Sequence, residues 1–179
     1  DIQHLIRERV NYLVIVPADL KALTPVLQEA KDSHIPVILI DKSADTIDST
    51  YYMSLISADY LKEGAICAQM LADKYPDETC NIVEIYGAKN SPSAQARSQG
   101  FHTALKNALV KATDTKQTIH AVFAHSDEDG LGALQAIKTA GISPQSISIV
   151  SINGIQDVCK AILANEYLGT VESNPKWGF

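Results

Sequence analysis

The sequence is poor in several residues that mark particular classes of protein. Cysteine occurs three times, and aromatic residues make up 6% of the 179 residues. Cys67, Cys80 and Cys159 lack the paired spacing of zinc and redox motifs, so the sequence predicts neither chemistry. A bridge between Cys67 and Cys80 stays open for an oxidising compartment, but buried free thiols are favoured.

Positive charge is also scarce. Lysine and arginine total 15 against 21 for aspartate and glutamate, which gives a formal net charge of −6. Proteins that bind duplex nucleic acid usually carry a clustered basic face, because neutralising phosphates supplies most of their affinity. The sequence has no such cluster. It therefore predicts no nucleic-acid partner.

Long hydrophobic runs and catalytic motifs are missing as well. The longest apolar runs, such as Leu13–Val16 and Val37–Ile40, have the length of strands and are far too short to cross a bilayer. No signal peptide is visible at the start of the sequence. No nucleophile elbow, phosphate loop or zinc helix follows a strand, and the acidic run 127–129 lacks calcium-loop spacing. We predict no catalytic residue, cofactor, metal or membrane insertion.

Along the sequence, apolar runs of strand length alternate with segments in which apolar residues recur at helical spacing. The predicted strands are 12–17, 36–41, 81–87, 120–125, 146–152 and 167–172. The predicted helices are 20–33, 58–75, 95–106, 129–140 and 158–166. Continuous apolar strands are typical of a parallel sheet covered on both faces, so the sequence predicts a doubly wound α/β fold.

One stretch interrupts this alternation. Between Asn107 and His120 the chain is too short for the strand and helix that the pattern would place there. A real deletion and a gap in the supplied sequence both explain the interruption.

Polar residues follow the predicted strands, at the edge where ligands bind parallel sheets. The candidates for ligand binding are Asp41, Lys42, Arg97, Ser126, Asp127 and Asn153. Carboxylate, guanidinium, hydroxyl and amide groups together suit a ligand that carries many hydroxyls.

Structural roles compete with these interpretations. Aspartate after a strand is more often a helix cap than a ligand contact, and Asp127 and Asp129 are strong candidates to cap the helix that follows. Glu63 and Lys62 are most simply solvated helix residues. His125 is predicted to be hydrogen-bonded and structural rather than a catalytic base.

Six segments, taken together and in order, resemble the periplasmic sugar-binding proteins of ABC transporters. They are PVILIDKS, ISADYLKEG, NIVEIYGAKNSPSAQARSQGF, AVFAHSDEDGLGALQAIKTAG, VSINGIQD and AILANEYLGTVESNP. The resemblance is to the ribose/galactose branch and is closest to galactofuranose-binding proteins. It implies a periplasmic protein, with its signal peptide removed, that binds a monosaccharide in furanose or pyranose form and serves an ABC permease.

The same resemblance implies two doubly wound parallel-sheet lobes that close over the sugar. Residues 1–57 would belong to the N-terminal lobe and 58–172 to the C-terminal lobe, with 173–179 returning toward the first. The family's first strand, a strand and helix near Asn107 and the end of the return segment have no counterpart. The sequence thus resembles an incomplete copy of the family.

The resemblance also matches the family's ligand-binding residues to individual positions in this sequence. Asp41 and Lys42 match the family's Asp-Arg pair, and Arg97 matches the arginine of its R-x-x-G-F pattern. Ser126 stands where the family usually has asparagine, and Asn153 where it usually has aspartate.

Two other functions remain as alternatives. The effector-binding domain of a LacI-type regulator shares the fold, but the acidic balance and the missing helix-turn-helix disfavour it. An α/β enzyme is disfavoured by the missing nucleophile and base.

Overall fold

The computed structural model describes residues 2–17, 20–40, 47–76, 80–88, 91–107 and 118–174. Within these residues the chain forms two compact units. The first lies within Asp1–Ala58 and the second within Asp59–Asn174.

The first unit is built on a three-stranded parallel sheet. In sheet order its strands are β1 (Leu13–Ile15), β2 (Val37–Ile40) and β3 (Ser54–Ile56), and its helices are α1 (Ile2–Arg7) and α2 (Leu20–Asp32). Leu13 is in register with Val37, and Leu39 with Leu55.

Burial in β1 alternates along the strand. Leu13 and Ile15 are buried, whereas Val14 between them is 53% exposed. The buried face packs against Ile6 of α1 and Leu27 of α2 in one core. The prediction of strands covered on both faces is therefore wrong for β1, because both helices lie against the same side of this sheet.

The second unit is built on a four-stranded parallel sheet in the order β4-β5-β6-β7. Its strands are β4 (Ile82–Ile85), β5 (Ala121–Ala124), β6 (Ser148–Ile152) and β7 (Gly169–Val171). Its helices are α3 (Tyr60–Lys74), α4 (Pro92–Asn107), α5 (Asp127–Thr139) and α6 (Gln156–Leu163).

Every residue of β5 and β6 is buried, because helices cover both faces of this sheet. One core joins the sheet to α3 and α4 through side chains such as Leu71 and Phe101. A second core joins it to α5 and α6 through side chains such as Leu134 and Val158. The predicted doubly wound α/β fold is confirmed.

Two glycines allow α3 and α4 to approach closely. A Cβ atom at Gly64 would lie 1.9 Å from the carbonyl oxygen of Arg97, and one at Gly100 would lie 1.9 Å from that of Leu61. Only glycine fits where one backbone meets another at this distance. The crossing brings the residues beside each glycine into contact with the facing helix.

The predicted strands and helices are all present, with bounds that differ by a few residues. Four short elements were not predicted: α1, β3 and the 3-10 helices Ser49–Tyr51 and Pro144–Ser146. The three residues of β3 include no buried side chain, so hydrophobic patterning gave no signal for it. Residues 108–117, in the interrupted stretch, lie outside the described residues.

The three cysteines are free, as favoured from the sequence: Cys67 and Cys80 are buried and Cys159 is exposed. Burial raises the pKa of the Cys67 thiol to about 12, so it stays protonated at neutral pH. None of the helices in the described ranges is long and apolar enough to cross a membrane.

Candidate ligand-binding site

The carboxyl ends of β4 to β7 meet along one edge of the second sheet, since the four strands are parallel. Loops and helix starts converge at such an edge, which is where ligands bind open parallel sheets. His125 and Ser126 follow β5, Asn153 follows β6 and Glu172 follows β7.

Arg97 lies on α4 and reaches this edge through its guanidinium group. Its Nε donates to Glu63 Oε2 at 2.8 Å, and its Nη1 donates to the carbonyl oxygen of His125 at 2.9 Å. The guanidinium carbon lies 5.2 Å from the centre of the Tyr60 ring, which is within range of a cation–π interaction. Two groups on α3 and one carbonyl after β5 therefore hold one cation.

Glu63 was predicted to be a solvated helix residue, and that prediction is wrong. Its side chain is 6% exposed, and the Arg97 side chain is 12% exposed. The residue lies beside Gly64, so the close crossing of α3 and α4 buries the carboxylate against the arginine. A charge so far from water requires an ionic partner, and Arg97 supplies it.

His125 forms part of a second polar group beside the site. Its Nε2 lies 2.8 Å from Glu84 Oε1, and His102 Nε2 lies 2.8 Å from Glu84 Oε2. The His125 ring is almost completely buried and packs against Tyr86 and Phe123, with ring centres 4.7 Å away in each case. The predicted hydrogen bond of His125 is confirmed, and its structural rather than catalytic role stays a prediction.

The charge of Glu84 is stabilised by this arrangement. Burial by itself would raise the pKa of Glu84, but hydrogen bonds with His125, His102 and Ser98 outweigh it and lower the pKa to about 2. Glu84 is therefore ionised at neutral pH and fixes both imidazole rings.

Ser126 caps α5. Its Oγ accepts a hydrogen bond from the backbone N–H of Asp129 at 3.1 Å and donates one to Asp129 Oδ2 at 2.9 Å. The prediction that Asp127 and Asp129 cap this helix is wrong, because the serine occupies the N-cap position. One lone pair of the partly buried hydroxyl stays available to accept from a ligand.

Asp127 is completely buried. Its Oδ1 accepts hydrogen bonds from the hydroxyls of Ser151 and Thr170, the latter at 2.6 Å, and its Oδ2 accepts from the backbone N–H of Ile155 at 2.7 Å. The carboxylate joins the start of α5 to β6, β7 and the start of α6. No surface of this side chain is exposed, so Asp127 supports the edge from within instead of making the predicted ligand contact.

Asn153 is held at the edge in a conformation that few residues adopt. Its φ is 141° and that of Gly154 is 79°. Its backbone N–H donates to the carbonyl oxygen of Val171 at 2.9 Å, and the Gly154 N–H donates to Thr170 Oγ1 at 3.2 Å. Since Thr170 in turn donates to Asp127, the buried carboxylate supports this turn.

The amide of Asn153 is partly exposed and donates to Glu128 Oε2 at 3.3 Å. Strained backbone of this kind is common at binding sites, where it presents a side chain in one orientation. Asp41 and Lys42, the other two predicted ligand residues, lie outside the described residues.

A concavity of about 650 Å³ in the first unit lies elsewhere. Its walls include Arg9, Asn11 and His34, which precede β1 and β2. It therefore lies at the amino ends of these strands, opposite the edge where parallel sheets bind ligands, and we do not assign it as the site.

Comparison with known proteins gives two family matches. A periplasmic binding protein domain matches residues 1–118, and a periplasmic binding protein-like domain matches residues 79–175. Among curated relatives, the galactofuranose-binding protein YtfQ of Escherichia coli K12 is 33% identical over 97% of this chain. The ribose import binding protein RbsB of Bacillus subtilis is 29% identical over 98% of it.

The chain spans 63% of the length of the first of these relatives and 62% of the second. The alignment with the E. coli protein is 199 positions long, so some residues of that protein have no counterpart in the 179 residues here.

Solved structures agree with these matches. A periplasmic binding protein of an arabinose ABC transporter from Shewanella sp. ANA-3, bound to α- and β-L-arabinofuranose, superposes with a TM-score of 0.85 at 31% identity, covering 97% of this chain and 65% of that one. A protein from Mycobacterium smegmatis in complex with β-D-fucofuranose gives 0.83 at 32% identity, covering 97% and 65%.

Proposed function

Because the chain belongs to the periplasmic binding protein family, we propose that it captures a monosaccharide in the periplasm and delivers it to an ABC sugar transporter. The observation that carries the proposal is the guanidinium of Arg97, held at the carboxyl edge of the second sheet by Glu63 and the His125 carbonyl. A fixed, charged donor at that edge suits the hydroxyl and ring oxygens of a sugar.

Ser126 and Asn153 complete the set in the second unit, and Asp41 and Lys42 remain part of the proposal from the sequence. The serine offers a hydrogen-bond acceptor, and the amide both donates and accepts. A sugar hydroxyl also does both, so this mixture matches its chemistry.

We further propose that the ring is a furanose. The relatives and structures at 31–33% identity are described as binding galactofuranose, or were solved with arabinofuranose or fucofuranose. The relatives are named as binding and import proteins, which favours transport over gene regulation or catalysis.

A thermal shift against L-arabinose, D-galactose, D-fucose and D-ribose tests the proposal on the protein in its full natural length. A sugar present at about 100 times its Kd stabilises the folded state by about 2.7 kcal/mol. For a protein of this size that raises Tm by about 5–10 °C. We expect at least one of the four sugars to give such a shift.

Arg97→Ala should abolish the shift, because it removes the proposed donor to the sugar. Arg7→Ala, at an exposed arginine of the first unit, is the matched control and should keep the shift. No shift with any sugar, or a full shift in Arg97→Ala, would overturn the proposal.

A further inference from the structure

The buried ion pair between Glu63 and Arg97 is expensive for the protein. Both side chains are almost completely buried. Moving a charge from water into a protein interior costs several kcal/mol of free energy for each ion. Apolar residues of similar volume often stabilise a fold as well or better. Stability alone is thus a poor explanation for this pair.

The geometry of the Arg97 guanidinium suggests another explanation for this ion pair. Of its five N–H donors, the Nε–H is taken by Glu63 and one Nη1–H by the His125 carbonyl. Among the residues that the structure describes, no other hydrogen bond from this group is present, so the remaining donors are available. The Tyr60 ring lies against the guanidinium and restricts its motion further.

The backbones of α3 and α4 are also fixed relative to each other beside this ion pair. Gly64, next to Glu63, faces the carbonyl of Arg97 itself, and Gly100, three residues after Arg97, faces the carbonyl of Leu61. The helix crossing therefore fixes the distance between the carboxylate and the arginine.

We propose that Glu63 is the positioning residue for Arg97: it orients the guanidinium so that its remaining N–H groups meet the sugar without a search over rotamers. The inference rests on the proposed function. An arginine oriented in advance loses less side-chain entropy when it binds, so ligand affinity rises. Glu63 itself does not touch the ligand.

Titration calorimetry with L-arabinose and D-galactose on the full-length protein tests the inference. Glu63→Gln keeps an acceptor oxygen but loses the charge, and we expect it to weaken binding about tenfold, as the loss of an outer-shell partner does at metal sites. Glu63→Asp, which keeps the charge on a shorter side chain, should lose less than Glu63→Gln and serves as a second variant. Glu166→Gln, at the more exposed Lys138–Glu166 pair, is the control and should bind as the wild type does.

Two readouts separate positioning from a general loss of structure. In an Arg97→Lys background the Glu63→Gln change should cost less than about twofold, because the interaction it supports is already lost. The Arg97 Nε–H signal in ¹H–¹⁵N spectra should be sharp in the wild type and broadened in folded Glu63→Gln.

The outcomes distinguish this inference from the proposed function. Wild-type affinity in Glu63→Gln, with binding lost in Arg97→Ala, would overturn the positioning role and leave the proposed function standing. Losses that multiply in the double variant would also overturn it, since Glu63 would then act independently of Arg97. If the wild type bound none of L-arabinose, D-galactose, D-fucose and D-ribose, both would be overturned.

Discussion

Single residues at the site divide into those that face a ligand and those that support them, and Asp127 is the clearest support. Its carboxylate satisfies the hydroxyls of Ser151 and Thr170 and the N–H of Ile155, all away from solvent. Sequence position alone suggested a ligand contact, since Asp127 directly follows Ser126 after β5. Consecutive residues at a helix start point in different directions, and here the second one points inward.

Asp127→Asn should destabilise the protein by about 1–3 kcal/mol, because an amide of the same size lacks the charge and cannot accept at both positions. Urea unfolding measures the loss. Asp73→Asn, at an exposed carboxylate that accepts one hydrogen bond from Gln69, is the matched control and should stay within about 0.5 kcal/mol of the wild type. Equal stability of the two variants would contradict the supporting role.

At the scale of elements, the crossing of α3 and α4 decides where the site groups lie. Gly64→Ala would place a methyl carbon 1.9 Å from the carbonyl oxygen of Arg97, which is a severe steric clash, so α3 and α4 would have to separate. We expect a loss of about 1–3 kcal/mol or more in urea unfolding, as for other overpacked cores. Arg97 would move with its helix, and sugar binding should weaken as well.

Gly132→Ala on α5 is the control for this prediction. Nothing lies within 4 Å of a Cβ atom at Gly132, so the alanine should gain about 0.5–1 kcal/mol from its better helix propensity. If Gly64→Ala were as stable as Gly132→Ala, the backbones of α3 and α4 would not be in contact at this position.

Helix α3 shows which buried residues hydrophobic patterning predicts and which it misses. Apolar residues at helical spacing predict a buried stripe of Leu61, Ala65, Ala68, Met70 and Leu71. Ala68 and Leu71 are buried as predicted, but Leu61 is 47% exposed, and the buried face also contains Tyr60, Glu63 and Gly64. The pattern was misread because a carboxylate and a glycine do not count as apolar, and their burial depends on Arg97, which is 34 residues away in the chain.

The strands were easier to predict. β5 is a continuous apolar run and β6 is apolar except for Ser148 and Ser151, as burial between two helical layers favours, so their positions and parallel arrangement followed from the sequence. Arg97, Ser126 and Asn153 were chosen as candidates because ligands bind parallel sheets at the strand ends, and their contacts with a ligand stay predictions. Glu63 was missed because nothing local distinguishes a buried glutamate from a solvated one.

At the scale of the whole molecule, the pH dependence of stability summarises how the buried charges are arranged. Glu84 has a usual pKa of 4.5 and one of about 2 in the folded protein, where it bridges His125 and His102. A carboxyl whose folded pKa is lowered contributes stability that is fully present above its unfolded pKa. That contribution is lost as the pH falls from about 4.5 toward 2.

Glu84→Gln should therefore be less stable than the wild type at pH 7, because the amide cannot act as an anion between two imidazole rings. The difference should shrink below pH 4.5 and be mostly gone at pH 2, where the wild-type carboxyl is about half protonated even in the folded protein. Urea midpoints followed by circular dichroism between pH 2 and 7 measure both curves. A difference that stayed constant across this range would show that Glu84 acts through packing rather than charge, and the two histidines would then need another anchor.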